Sequence, residues 1–154
     1  MLLLWDMYIP MSDTKIAYLA GIIDGEGTIS FMRRGENFFP TVTIANTSHE
    51  MLEWCGKTVG LAYTICVKQP RSANHSVSYH LRLRFDAALR VAEMCLSYLI
   101  IKKEHAKLLL RWKEVVRRNG RYTPGEFELR NSLIGMIRAR NSRPAWKQAV
   151  ENSL

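Results

Sequence analysis

Acidic residues are in short supply here: 14 Asp and Glu stand against 22 Lys and Arg in 154 residues, a formal charge of +8 with a pI near 9.7. That balance disfavours a cationic partner and suits a polyanion. Cysteine is scarcer still. Cys55, Cys66 and Cys95 are odd in number, lack a C-x-x-C spacing and sit among apolar neighbours, which excludes a disulfide framework and a zinc ribbon. A reducing intracellular compartment is implied, a bacterial or archaeal cytoplasm or an organelle. No apolar run is long enough to cross a bilayer, so no membrane partner is expected. The segment from Met1 to Met11 holds Leu2, Leu3, Leu4 and Trp5 but has no basic n-region and is interrupted by Asp6, which argues against a secretory signal. Residues 1–11 read as an N-terminal extension, with Met7 and Met11 as alternative starts, 12–141 as a single domain and 142–154 as a basic tail. At 47% hydrophobic and 10% aromatic, the composition is that of a chain with a core.

The remainder is strongly patterned. Ser12-Asp13 offers an N-cap to a run of apolar and small residues from Thr14 to Asp24, a first helix. Thr28–Arg34 and Thr41–Ile44 alternate about the turn residues Gly35-Glu36-Asn37, a hairpin. Thr47 and Glu50 have capping-box spacing ahead of Met51, Leu52, Cys55 and Val59, and Gly60 stops that helix. Tyr63, Ile65 and Val67 alternate with polar residues, as do Val77, Tyr79, Leu81, Leu83 and Phe85 beyond a loop at 70–76, a second hairpin. Asp86 is placed to cap a helix carrying Leu89, Ala92, Leu96 and Leu99. Another runs from about Lys103 through Leu108, Leu109, Trp112, Val115 and Val116 to Asn119-Gly120. Thr123-Pro124-Gly125-Glu126 joins a capping box to a proline at the first helical position and opens a last helix to about Arg140. Hairpins separated by helices predict an α+β fold, an antiparallel sheet with helices on one face and the other face open.

The first helix has no polar side. Ala17, Gly21 and Gly25 stack at i, i+4 and i+8, with Ile16, Leu19, Ile22 and Ile23 opposite. A helix-interior glycine costs about 1 kcal/mol relative to alanine, so Gly21 calls for a close backbone neighbour. Full burial in a monomer core and sandwiching between the chain's own core and a partner helix both meet that need.

Residues 19 to 27, Leu-Ala-Gly-Ile-Ile-Asp-Gly-Glu-Gly, resemble the LAGLIDADG motif of homing endonucleases. Six of nine positions are identical (Leu19, Ala20, Gly21, Ile23, Asp24 and Gly27), with Ile22, Gly25 and Glu26 as substitutions. The resemblance extends through the αββαββα order over roughly residues 12–118. It implies the LAGLIDADG core, a saddle-shaped DNA-binding sheet and extra C-terminal helices. One motif copy implies a homodimer, since two-motif members are pseudo-symmetric monomers, with Ala17, Ala20, Gly21, Asp24 and Gly25 at the seam.

The implied activity is Mg²⁺-dependent cleavage of both strands of a long, nearly palindromic DNA site, leaving short 3′ overhangs, by an intron-encoded enzyme. Mn²⁺ is expected to substitute, and Ca²⁺ to support binding without cleavage. The eighth motif position, Glu26 here, is the implied metal ligand, with the Gly25 carbonyl as a second. Asp24 is open between metal ligation and a structural acceptor role at the seam. Asn46 and Lys102 match the family's polar residue after the second strand and lysine before a later helix. Asn46 fits a turn role equally, and Lys103 competes with Lys102.

Alternation assigns Ile29, Phe31, Val42, Ile44, Tyr63, Ile65, Tyr79, Leu81 and Leu83 to the covered sheet face. Ser30, Met32, Arg34, Thr41, Thr43, Thr64, Lys68, Ser78, His80, Arg82 and Arg84, with Thr28 and Cys66, then form the open face. Rich in cations and hydroxyls, it suits the major groove of double-stranded DNA. Arg71 and His75 in the second hairpin loop, and Arg33 and Asn37 in the first, extend its reach. Arg138, Arg140, Arg143 and Lys147 read as phosphate contacts or as a solubilising tail. An RNA-binding intron maturase and a non-cleaving DNA-binding regulator are the alternatives on the same scaffold; the intact Glu26 argues against the regulator.

Overall fold

A computed structural model describes residues 12–115, 117 and 119–142; the N-terminal extension, Val116, and the tail from 143 with Arg143 and Lys147 lie outside the described residues. The element order is α1 (Asp13–Glu26), β1 (Gly27–Arg34), β2 (Asn37–Asn46), α2 (His49–Val59), β3 (Thr64–Lys68), β4 (Ser78–Arg84), α3 (Asp86–Cys95), α4 (Lys103–Leu110), a 3-10 turn (Arg111–Glu114) and α5 (Pro124–Asn141). The strands form one antiparallel sheet in the order β1-β2-β4-β3. Ile29, Phe31, Val42, Ile44, Leu81 and Leu83 project from one face into a core shared with all five α-helices, so the fold is α+β with an open sheet face, as the pattern predicts. Each fully buried Leu or Ile in that core contributes about 1.5–3 kcal/mol. Cys55 and Cys95 belong to it, and burial pushes their thiols up to about 11 and about 12, so both stay protonated and behave as small apolar groups.

The junction between α1 and β1 positions the motif. Ser12 caps α1 by accepting the Lys15 N–H (3.4 Å), and the helix runs two residues past Asp24 to end on Glu26. The chain then enters β1 without a loop. A Cβ on Gly27 would stand 2.7 Å from the Ile23 carbonyl oxygen, so only glycine permits this direct passage.

Several boundaries depart from the sequence pattern. Asn46 Oδ1 accepts the Ser48 N–H (2.8 Å), which closes a turn and makes Ser48, rather than Thr47, the cap of α2; the Thr47–Glu50 box does not form. Asp86 does not cap α3. Phe85 occupies the cap position with φ +53, and Asp86 lies in the first turn. That helix stops at Cys95, short of Leu96 and Leu99, and α4 ends at Leu110 in a 3-10 turn rather than running to Gly120. The α5 start follows the pattern in full: Thr123 Oγ1 accepts the Glu126 N–H (3.2 Å), and Glu126 Oε2 accepts the Thr123 N–H (2.9 Å).

From α5, Arg130 braces the first hairpin. It is 6% exposed, lies over the rings of Phe38, Tyr122 and Phe127, and donates to the Glu36 carbonyl (2.9 Å). Arg117 donates to Asn37 Oδ1 (3.1 Å) on the same turn. Among the described residues no helix is long and apolar enough to cross a membrane.

Candidate metal-binding acid and nucleic-acid interface

Asp24 and Glu26 lie at the end of α1 and differ in environment. Asp24 turns back into the chain: its Oδ2 accepts the Ile100 N–H (2.7 Å) and its Oδ1 the Lys102 N–H (2.9 Å). Burial pushes this carboxyl up, but the backbone N–H groups of Ile100, Lys102 and Ile101, with the Lys102 charge, outweigh it and hold the group below its ordinary value. With both oxygens engaged, the structural acceptor role is the one this geometry favours. Glu26 is exposed at the helix terminus. Gly25 is also exposed, and its carbonyl lies in the last turn, where helical oxygens lack an intrahelical N–H partner.

Among the described residues no three His, Cys, Asp or Glu side chains converge on a metal site. One chain therefore offers the Glu26 carboxylate and the Gly25 carbonyl. Hard oxygens are the donors that Mg²⁺ takes, and because that ion retains several waters, a small protein ligand set fits it. Lys102 is drawn to the motif, its Nζ donating to the Asp24 carbonyl (2.6 Å), whereas Lys103 begins α4. Asn46, by contrast, spends its side-chain oxygen on the Ser48 turn.

The small-residue face of α1 is open. A Cβ on Gly21 or Gly25 would meet nothing within 4 Å, so nothing in the described chain accounts for either glycine. Ala17 is half-buried. Ala20 is a correction: it is wholly buried in this chain's own core and is not available to a partner. Exposed apolar groups adjoin the face. Tyr18 stands edge-on to Trp54 with ring centroids 5.1 Å apart, and Ile100, 86% exposed, and Ile101 lie in the turn that Asp24 holds.

On the open sheet face, Thr41 pairs with both Ser30 and Arg84, and Thr43 with both Thr28 and Arg82; Thr64 also pairs with Arg82, Cys66 with His80 and Lys68 with Ser78. Arg34, Thr64, Lys68, Arg71 and Arg84 are exposed, and Ser30, Met32, Thr43, Ser78, His80 and Arg82 are partly so. Thr41 is again a correction: it occupies the expected face but is 0% exposed, with Oγ1 unpartnered, which removes it from any contact surface. Burial first, then the charges of Lys68 and Arg82, holds His80 below its ordinary value. At the second hairpin tip Lys68, Arg71, His75, Ser76 and Ser78 line a cleft of about 370 Å³, with His75 Nδ1 2.6 Å from Ser72 Oγ.

Other expected contacts are directed elsewhere. Arg33 donates to the Gly35 carbonyl (2.6 Å) of its own turn, Asn37 is engaged by Arg117, and Arg138 lies over Phe38 on the helix-covered side. Two aromatics on the open side, Phe39 and Phe85, were not legible as such. Phe39 precedes the part of β2 that alternates recognisably, and strand period assigns Phe85 to the core.

No family model and no curated protein matches the sequence. Solved structures do match. The homing endonuclease I-CvuI in complex with its target in the presence of 2 mM Ca is 18% identical, with a TM-score of 0.66 over 86% of this chain and 85% of that one. The same endonuclease with the I-CreI target and 2 mM Mg, its DNA not cleaved, is 19% identical, with a TM-score of 0.66 over 86% and 85% of the two chains. The archaeal intron-encoded homing endonuclease I-Vdi141I, complexed with DNA, is 15% identical, with a TM-score of 0.68 over 86% and 87%. These likenesses establish the fold.

Proposed function

We propose that this chain, which has the LAGLIDADG homing-endonuclease fold, is one subunit of a homodimeric DNA endonuclease that cuts both strands of a long, nearly palindromic site and leaves short 3′ overhangs. The observation that carries the reading is the placement of Glu26. It is an exposed acid where the open α1 face meets the first strand of a cationic sheet. The DNA-bound neighbours of the same fold support a duplex as the ligand.

Homodimerisation rests on α1. Its glycine face lacks an intrachain neighbour, and the adjoining exposed Tyr18, Ile100 and Ile101 would be buried by a symmetry-related copy. Packing two such helices would bring the Glu26 side chains of both subunits to one locus, one for each strand. Bound there by Glu26 and the Gly25 carbonyl, Mg²⁺ would supply charge neutralisation and an activated water. This chain's residues would do the rest. Asp24 holds the 100–102 turn with the Lys102 ammonium on its carbonyl, and from there Lys102 would neutralise phosphate charge. The sheet cations would position the duplex through its phosphates, and Arg82, Arg84, Thr43 and Thr64 would read base edges.

The test is incubation of the purified protein with a randomised duplex library, with Mg²⁺, Mn²⁺ or Ca²⁺. The reading expects selection of a long pseudo-palindrome, cleavage with Mg²⁺ and Mn²⁺, and binding alone with Ca²⁺. Failure to select any duplex, with selective binding of intron RNA instead, would favour a maturase; selection without cleavage would favour a regulator.

A further inference from the structure

Phe85 breaks the pattern around it. Alternation along β4 puts it with Leu81 and Leu83 in the core, yet it is 55% exposed and stacks on Phe39, ring centroids 4.7 Å apart and planes at 23°. Phe39 belongs to the open face, since it pairs with Met32 and lies two residues from Thr41 on β2. The backbone produces the inversion: Phe85 has φ +53 and ψ −124, a region that bulky side chains scarcely occupy. Its N–H donates to the Pro40 carbonyl (3.0 Å), which fixes the strand-to-helix turn. Glycine would make the same turn without strain, so what phenylalanine adds is the ring.

The surroundings indicate what the ring is for. Arg84 precedes it, and a cleft shared with Tyr63, Thr64 and Arg82 adjoins it on the cationic sheet face, while Leu61, Ala62, Asp86 and Ala87 line a second cleft beside it. An apolar protein partner would meet those charges unfavourably, whereas a duplex would satisfy them. Among base edges in the major groove, the apolar group is the thymine C5-methyl. We propose that Phe85, backed by Phe39, is a specificity-determining residue that packs against a thymine methyl in the target. The inference rests on the DNA-binding reading above. Phe39 lies five residues along β2 from Ile44, the partner of Gly27, or about 17 Å at strand rise, so this contact is outward from Glu26.

The experiment starts from a duplex that the full-length wild type selects from the randomised library, and replaces each thymine in turn by deoxyuridine, deleting one methyl at a time. With Ca²⁺ present, wild-type binding should weaken about fourfold per half-site at one symmetry-related pair of positions, the effect of one buried methyl. F85G should bind the unmodified site with a similar loss and show no further loss with uridine at that pair, while keeping its melting temperature within a few degrees. F85A should behave alike; should it unfold, F85G carries the comparison, because glycine adopts φ +53 freely. If the uridine profiles of wild type and F85G coincide, the proposal is overturned. If the wild type selects no duplex at all, the DNA-binding reading fails and this inference with it.

Discussion

Asp24 shows how one side chain divides between stability and site geometry. Asp24→Asn replaces one acceptor by an N–H donor facing a backbone N–H, and should destabilise the fold by about 1–3 kcal/mol. Because the Asp24 pKa is lowered in the folded state, its contribution is present above the ordinary value of 3.8 and is lost as pH falls through the lower folded value. Urea melts of wild type and variant should therefore converge at acid pH; a constant gap would contradict the assignment. Thr41→Val should have the opposite sign. Its hydroxyl is buried and unpartnered, so an isosteric methyl should stabilise by about 1 kcal/mol and leave DNA affinity unchanged. Residue-scale environments of this kind were the least legible from sequence. Thr41 sits in the expected phase of its strand, and Asn46 in the expected place after it, but neither burial nor capture by a local N–H is encoded in alternation. The ambiguity between Lys102 and Lys103 is likewise a matter of which ammonium meets the Asp24 carbonyl, a contact 78 residues apart in the chain.

At the scale of elements, α1 separates the three motif glycines by cause. Gly27 is explained within the chain by the close approach of Ile23, whereas Gly21 and Gly25 face open space. Gly21→Ala should thus raise the helix propensity of an isolated chain by about 1 kcal/mol yet weaken self-association, a split that sedimentation at graded concentration with parallel thermal melts would expose. A monomeric wild type at micromolar concentration would contradict the seam. Strands and helices were legible wherever period and caps agreed, as at Ser12 and Thr123. They were misread where a neighbouring residue competed for the same role: Ser48 displaces Thr47 because Asn46 tightens the turn, and Phe85 displaces Asp86 because a left-handed backbone makes the corner.

For the whole molecule, the charge excess read from composition resolves into a cationic open face, and its behaviour with pH follows from His80. The folded-state pKa of that ring is lowered, so on acidification the unfolded chain takes up the proton first and stability falls below about pH 6.5. Duplex phosphates would favour the charged ring, so affinity should rise as pH falls towards the lowered folded value, and His80→Gln should flatten the affinity profile. The αββαββα order and the open face follow from hydrophobic period read together with caps and turn residues. The site does not: Glu26 and Gly25 follow from the motif's resemblance, and how two copies of that helix end would meet depends on docking that alternation does not encode. Whether the exposed acid at the α1 terminus drives DNA cutting is decided by Glu26→Gln on the selected duplex: the variant should keep wild-type affinity with Ca²⁺ and lose Mg²⁺-dependent cleavage at least about a hundredfold, and cutting at the wild-type rate would rule out Glu26 as the metal-binding acid.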